Sequence, residues 1–168
     1  MDINTYYNPL ILFFEDLKKK YINDKTINVL YNSNNFDDAD EIKFQSLNPH
    51  LYTFSITFWK GDNDFPRVSL YIKHPNNEEY FEIIDEYKGG EDLDINSLLS
   101  YIKTILSNKF VFEYEFMKEK LIKTIYTYYT PSNGEVKKNT VEYKKTLLIF
   151  PWLQKRIIKK SYEFKPWI

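Results

Sequence analysis

The sequence predicts an α+β fold: one large, curved, mainly antiparallel sheet of about seven or eight strands, packed by two helices. Three observations predict it. Two segments, 8–22 and 94–107, repeat apolar residues at helical spacing. Most other apolar segments alternate with period two, as half-buried strands do. Their connections are short and rich in Asn, Asp, Pro and Gly, with no composition break, so residues 1–168 are expected to form a single domain.

In order, the first helix places Leu10, Phe13, Phe14, Leu17 and Tyr21 on one face. Asn8 suits the cap, Pro9 the first helical position, and Lys18-Lys19-Lys20 the negative end of the dipole. Asn23-Asp24-Lys25 makes a turn into a strand over 26–31. The polar stretch 32–40 reads as a loop, followed by strands over 41–47 and 51–60. Gly61-Asp62-Asn63-Asp64 is a turn, and 66–74 with 79–87 form a hairpin.

Gly89-Gly90 breaks that strand ahead of the central helix. Ile95, Leu98, Leu99, Ile102, Ile105 and Leu106 form its apolar face, Asp94 its N-cap, and it is expected to cover one face of the sheet. Strands follow over 109–117, 121–130 and 140–150, with Pro131-Ser132-Asn133-Gly134 as a turn; 115–126 fits either strand or helix. Pro151 opens a short basic helix over 152–160, and the aromatic tail 162–168 packs back.

Composition bounds the chemistry. Hydrophobic residues make up 43% and charged residues 28%, the balance of a soluble globular chain. Without cysteine there is no disulfide, zinc–thiolate site or thiol nucleophile, which is compatible with the cytoplasm. The N-terminus lacks the basic start of a signal peptide, and the apolar run 9–14 is too short to span a bilayer. Lys, Asn, Ile, Tyr and Phe abound while alanine occurs once, the look of an AT-rich coding sequence. The tyrosines therefore read first as composition plus β-preference, and second as a recognition surface.

The net charge of −1 hides an asymmetry. Residues 1–100 hold nine Lys and Arg against eighteen Asp and Glu, and residues 101–168 hold fourteen against six. Four glycines, none in a cluster of the required spacing, build no phosphate loop or nucleophile elbow. His50 and His74 read as turn residues, and no metal or cofactor is expected. The acidic groups Asp37, Asp38, Asp40, Glu41 and Asp62, Asp64 lack the calcium-loop register, so each reads as solvated turn chemistry or as a partner-binding surface. Asp64 with Glu86-Tyr87-Lys88 matches the metal-binding pattern of restriction-type nucleases, but Glu-x-Lys occurs five times in this chain. Lys155, Arg156, Lys159, Lys160 and Lys165 near Trp152, Tyr162 and Trp167 suggest base stacking, yet the slightly acidic whole argues against nucleic acid.

Small, motif-poor and acidic-looped, the chain is similar in general type to bacterial immunity proteins that neutralise a cognate toxin. That likeness implies a non-enzymatic protein-binding module, an antitoxin in effect, with Asp37, Asp38, Asp40, Glu41, Asp62 and Asp64 steering onto a basic toxin domain. The alternative is a small-molecule-binding protein or enzyme with an apolar pocket between sheet and central helix. A metal-dependent nuclease-like fold is the third reading. No membrane partner is expected, and the oligomeric state is left open.

Overall fold

The structure, a computed structural model, describes residues 3–33, 39–59, 67–73, 80–87, 94–117, 119–144 and 157–168. The protein is α+β and mostly antiparallel sheet. Among the described residues there are two helices and nine strands, and the strands divide between two sheets of five and four. The chain likewise divides into two compact units, residues 1–102 with Ile168, and residues 103–167.

The first unit opens with α1 (Ile3–Lys20). The helix begins five residues before the expected start, so Pro9 lies inside it and leaves the Thr5 carbonyl without its helical donor. Beyond Lys20 the turn tightens, with the Tyr21 and Ile22 amides donating to the Lys18 and Lys19 carbonyls. Asp24 then accepts from both the amide and the hydroxyl of Thr26, at 2.9 and 2.7 Å, and these bonds hold its carboxyl below the ordinary range.

Five strands follow as a meander: β1 (Ile27–Ser33), β2 (Ala39–Ser46), β3 (Thr53–Trp59), β4 (Arg67–Lys73) and β5 (Tyr80–Tyr87), each antiparallel to the next. Cross-strand register sets Phe44 opposite Phe54 and Phe54 opposite Ile72, and likewise Ile42 opposite Ile56 and Ile56 opposite Leu70, all on one apolar face. The α1 helix packs on that face. Phe14, fully buried, sits 6.0 Å from the Phe44 ring and 6.2 Å from Phe54, while Phe44 and Phe54 stack at 4.8 Å. Leu10 and Leu17 complete the buried stripe, as the spacing predicts.

A polar clasp lies at the β1 side of this face. The Tyr31 hydroxyl donates to Glu15, and the Lys18 ammonium stands 4.6 Å above the Tyr31 ring. Burial first, then the hydrogen bond and charge of Glu15, push the Tyr31 phenol up to about 12. The folded state thus favours the neutral phenol. That contribution is fully present below the unfolded value near 10 and is lost as the pH rises toward 12. With the side chain 46% exposed, solvent screening keeps the effect small. Tyr31→Phe should therefore flatten part of the alkaline fall in the urea midpoint. An identical fall in both proteins would show that the clasp does not couple to folding.

Helix α2 (Ile95–Leu106) spans the boundary between the units. Asp94 caps it as expected, accepting from the amides of Asn96 and Ser97 at 3.1 and 3.3 Å and from the Ser97 hydroxyl. Its buried residues are Ile95, Leu98, Ile102, Ile105 and Leu106, with Leu99 only half-buried. At the other end, Asn108 Nδ2 donates to the Thr104 carbonyl, an acceptor the helix leaves free, and Ser107 Oγ adds a second donor to the Lys103 carbonyl, which already accepts from the Ser107 amide at 2.9 Å.

The second unit pairs β6 (Phe110–Met117), β7 (Lys120–Ser132), β8 (Glu135–Lys144) and β9 (Ile157–Phe164) in the order β8-β7-β6-β9. The ambiguous stretch 115–126 is strand over 115–117 and 120–126, with Glu119 a turn residue of positive φ, 67°. The turn between β7 and β8 is tighter than the sequence suggests. Asn133 and Gly134 both take positive φ, 49° and 82°, as a two-residue hairpin of matching twist requires. Residues 157–160, expected in a basic helix, form the start of β9 instead. Pairing with β6, Phe164 against Phe110 and Tyr162 against Phe112, overrides the short apolar spacing that suggested a helix. Residues 151–156 lie outside the described residues.

Alternation along β6 sorts its side chains. Phe110, Phe112, Tyr114 and Phe116 share one face, where Phe110 stacks on Tyr126 at 6.0 Å and Phe112 on Tyr114 at 6.3 Å. Glu115 faces the other way and pairs with Lys159 at 2.8 Å. Of the tail 162–168, expected to pack back on the sheet, residues 162–164 belong to β9 itself, while Trp167 is fully buried and its amide donates to the Leu106 carbonyl at 2.8 Å.

Candidate functional site

Of the six acidic residues singled out in the sequence, Asp40 and Glu41 are described; Asp37, Asp38, Asp62 and Asp64 lie outside the described residues. Asp40 and Glu41 open β2, paired with Ser33 and Asn32 of β1 and with Phe58 and Thr57 of β3. Being adjacent in a strand, they point to opposite faces. Asp40 follows the parity of Ile42 and Phe44. Glu41 follows that of Lys43 and Gln45, and accepts from Asn32 Nδ2 at 2.8 Å. Both carboxylates are half-buried.

The meander relates these positions in a way sequence distance conceals. Ala39 pairs with Trp59, Trp59 with Arg67, and Arg67 with Tyr87. The end of β1, the start of β2, the end of β3, the start of β4 and the end of β5 therefore share one end of the five-stranded sheet. The connections numbered 34–38 and 60–66, and the chain after Tyr87, all depart from that end. Across 37–41, 60–67 and 85–92 the sequence carries ten carboxylates against three cations. Of these carboxylates Asp40, Glu41, Asp85 and Glu86 lie on the adjoining strand ends, and the other six lie outside the described residues.

The charge asymmetry follows the same division. The unit of residues 1–102 carries nine Lys and Arg against eighteen Asp and Glu, and the unit of 103–167 carries fourteen against six. In the second unit Lys159, Lys123 and Lys109 pair with Glu115, Glu142 and Glu163 at 2.8, 3.0 and 3.0 Å. Its excess of cations remains after these pairs. The chain thus has an acidic unit and a basic unit.

Compared with known families, curated proteins and solved structures, the chain matches none.

The remaining candidates have definite places. His50 is an exposed turn residue whose amide donates to Asn48 Oδ1 at 2.9 Å; His74 lies outside the described residues. Among the described residues no group of three or more His, Cys, Asp or Glu side chains is arranged to hold a metal. For the nuclease pattern, the start of β4 does lie beside the end of β5, with Glu86 opposite Val68, while Asp64 and Lys88 lie outside the described residues. Of the basic C-terminal set, Lys159 and Lys160 lie on β9, where the Lys160 ammonium stands 5.3 Å from the Phe116 ring centre. Among the described residues no helix is long and apolar enough to cross a membrane.

One feature escaped sequence reasoning: among the described residues β1 lies at an edge of its sheet, with Leu30 and Tyr31 exposed. Alternation identifies a strand but carries no information about which strands flank it.

Proposed function

We propose that this chain is a non-enzymatic, cytoplasmic protein-binding module of the bacterial immunity type, which neutralises a basic toxin domain by covering it with the acidic end of its five-stranded unit. The observation that supports this reading is the gathering of strand ends there, where the flanking sequence carries ten carboxylates against three cations. Such an end steers a basic partner electrostatically, and apolar contacts then supply the lifetime of the complex.

A tagged pull-down, read by mass spectrometry, is expected to return one stoichiometric basic partner. Reversing Asp37, Asp38, Asp40 and Glu41 to Lys should then slow association by about tenfold or more at low salt. The difference should shrink as salt shortens the screening length to about 8 Å and below. An unchanged association rate at low salt rejects the steering end, and the absence of any stoichiometric partner rejects the module.

The β4–β5 register favours a second reading, the metal-dependent nuclease. Divalent-dependent cleavage of DNA that Glu86→Gln abolishes would replace the first reading.

A further inference from the structure

Among the described residues four strands lie at sheet edges: β1, β5, β8 and β9. Exposed edges invite pairing with another chain, and proteins block them with charges, proline or bulges. Three of these edges are blocked. Strand β5 carries Glu82, Asp85 and Glu86 and meets β4 through a register shift. Strand β8 carries Glu135, Lys137, Lys138, Glu142 and Lys144, and β9 carries Lys159, Lys160 and Glu163. Strand β1, Ile27-Asn28-Val29-Leu30-Tyr31-Asn32-Ser33, has no charge and no proline, and its pairing with β2 runs without a bulge. Its side chains at Asn28, Leu30, Tyr31 and Asn32 are exposed, Leu30 by 43%.

We propose that β1 is a self-docking edge: two copies of this chain join antiparallel through β1 about a two-fold axis at Leu30, merging their five-stranded sheets into one.

The strand is self-complementary about that residue. With Leu30 opposite Leu30 of the second copy, Asn28 faces Asn32 and Val29 faces Tyr31. Amide thus meets amide and apolar meets apolar, the pairs that stabilise antiparallel sheets. Sliding the register by two residues sets Asn opposite Leu instead. The register also keeps each face continuous, since Asn28, Leu30 and Asn32 share one side of the sheet and Val29 and Tyr31 the other. Asn32 gives one amide hydrogen to Glu41 and keeps its carbonyl and second hydrogen for the new pair.

Charge agrees with the antiparallel sense. Asp40 and Glu41, opposite Ser33 and Asn32, mark the acidic end of the sheet. Antiparallel pairing sets it beside the Ile27 end of the second copy, so the two acidic ends stand about 20 Å apart along the strands, beyond the screening length. A parallel pairing would bring them together. The contact is isologous and closes at two copies, with the charged β5 edge outermost in each sheet. It is independent of the toxin-binding reading and leaves both acidic ends open.

Sedimentation equilibrium of the full chain from about 1 µM to about 500 µM is expected to show the mass rise from one chain to two, as a small interface with micromolar affinity does. Leu30→Lys, which charges an already exposed edge position, should stay single at every concentration with an unchanged circular dichroism spectrum. Because the chain has no cysteine, Leu30→Cys supplies a second measurement. Directly opposed antiparallel residues stand about 4.5–5.5 Å apart, within disulfide reach. Mild oxidation should cross-link it at least about tenfold faster than Val136→Cys, an exposed position on the charged β8 edge. A wild-type chain that stays single, a Leu30→Lys chain that dimerises equally, or equal cross-linking rates overturn the proposal. If the single chain instead binds a partner's strand at β1, the occupant is that partner and the second copy is excluded.

Discussion

Trp167→Ala is expected to destabilise the protein by about 3–5 kcal/mol, although the residue is the last but one of the sequence. Terminal residues ordinarily fray and tolerate change. This one is fully buried, and its amide closes one of the carbonyls that α2 leaves free at its C-terminal end. Truncation would leave a void the size of an indole. The measurement is the urea midpoint and slope of Trp167→Ala against Ile168→Ala, whose side chain is 39% exposed. The neighbour's change should stay within about 0.5 kcal/mol of wild type. Equal small shifts would mean that the tail adds nothing to the second unit.

Legibility varied with the range of the interactions that decide each element. Helix α2 was readable almost to the residue, because both its ends are settled locally. Asp94 reaches amides two and three residues on, and Asn108 reaches back four to Thr104. The start of α1 was not, because Asn8-Pro9 offers a plausible cap and the helix nevertheless runs back to Ile3. Asn23-Asp24-Lys25 and Ser107-Asn108-Lys109 look alike in sequence and act differently. Asp24 accepts from the following strand entry, whereas Asn108 donates to the preceding helix.

Strand periodicity located eight of the nine strands and missed β9, whose Ile157-Ile158-Lys159-Lys160 has no alternation to read. Only the long-range pairing with β6 makes it a strand. The same limit governs the candidate site. The acidic residues were visible as composition, but the common end of the sheet shared by Asp40, Glu41, Asp85 and Glu86 follows from four registers that pair residues 7 to 20 positions apart. The unblocked edge of β1 was hidden for the same reason, since an uncharged strand is unremarkable unless it is known to be outermost.

Phe54→Ala is the second large expected effect, about 3–5 kcal/mol, and it separates fold from function. The ring is fully buried, stacks on Phe44 at 4.8 Å, and lies 6.2 Å from Phe14 and 6.4 Å from Tyr52. Its loss leaves α1 without the floor on which Phe14 rests, so the helix and the three strands beneath it loosen together. Phe54→Leu, which keeps most of the volume, should lose less than half as much. Both should weaken partner binding only in proportion to the unfolded fraction, and binding should recover on cooling or at lower urea. The acidic reversals should do the opposite, slowing association at low salt with the urea midpoint nearly unchanged. If Phe54→Ala impaired binding while its folded fraction stayed full, the aromatic core of the first unit would take part in recognition, and the acidic end would not be the whole of the site.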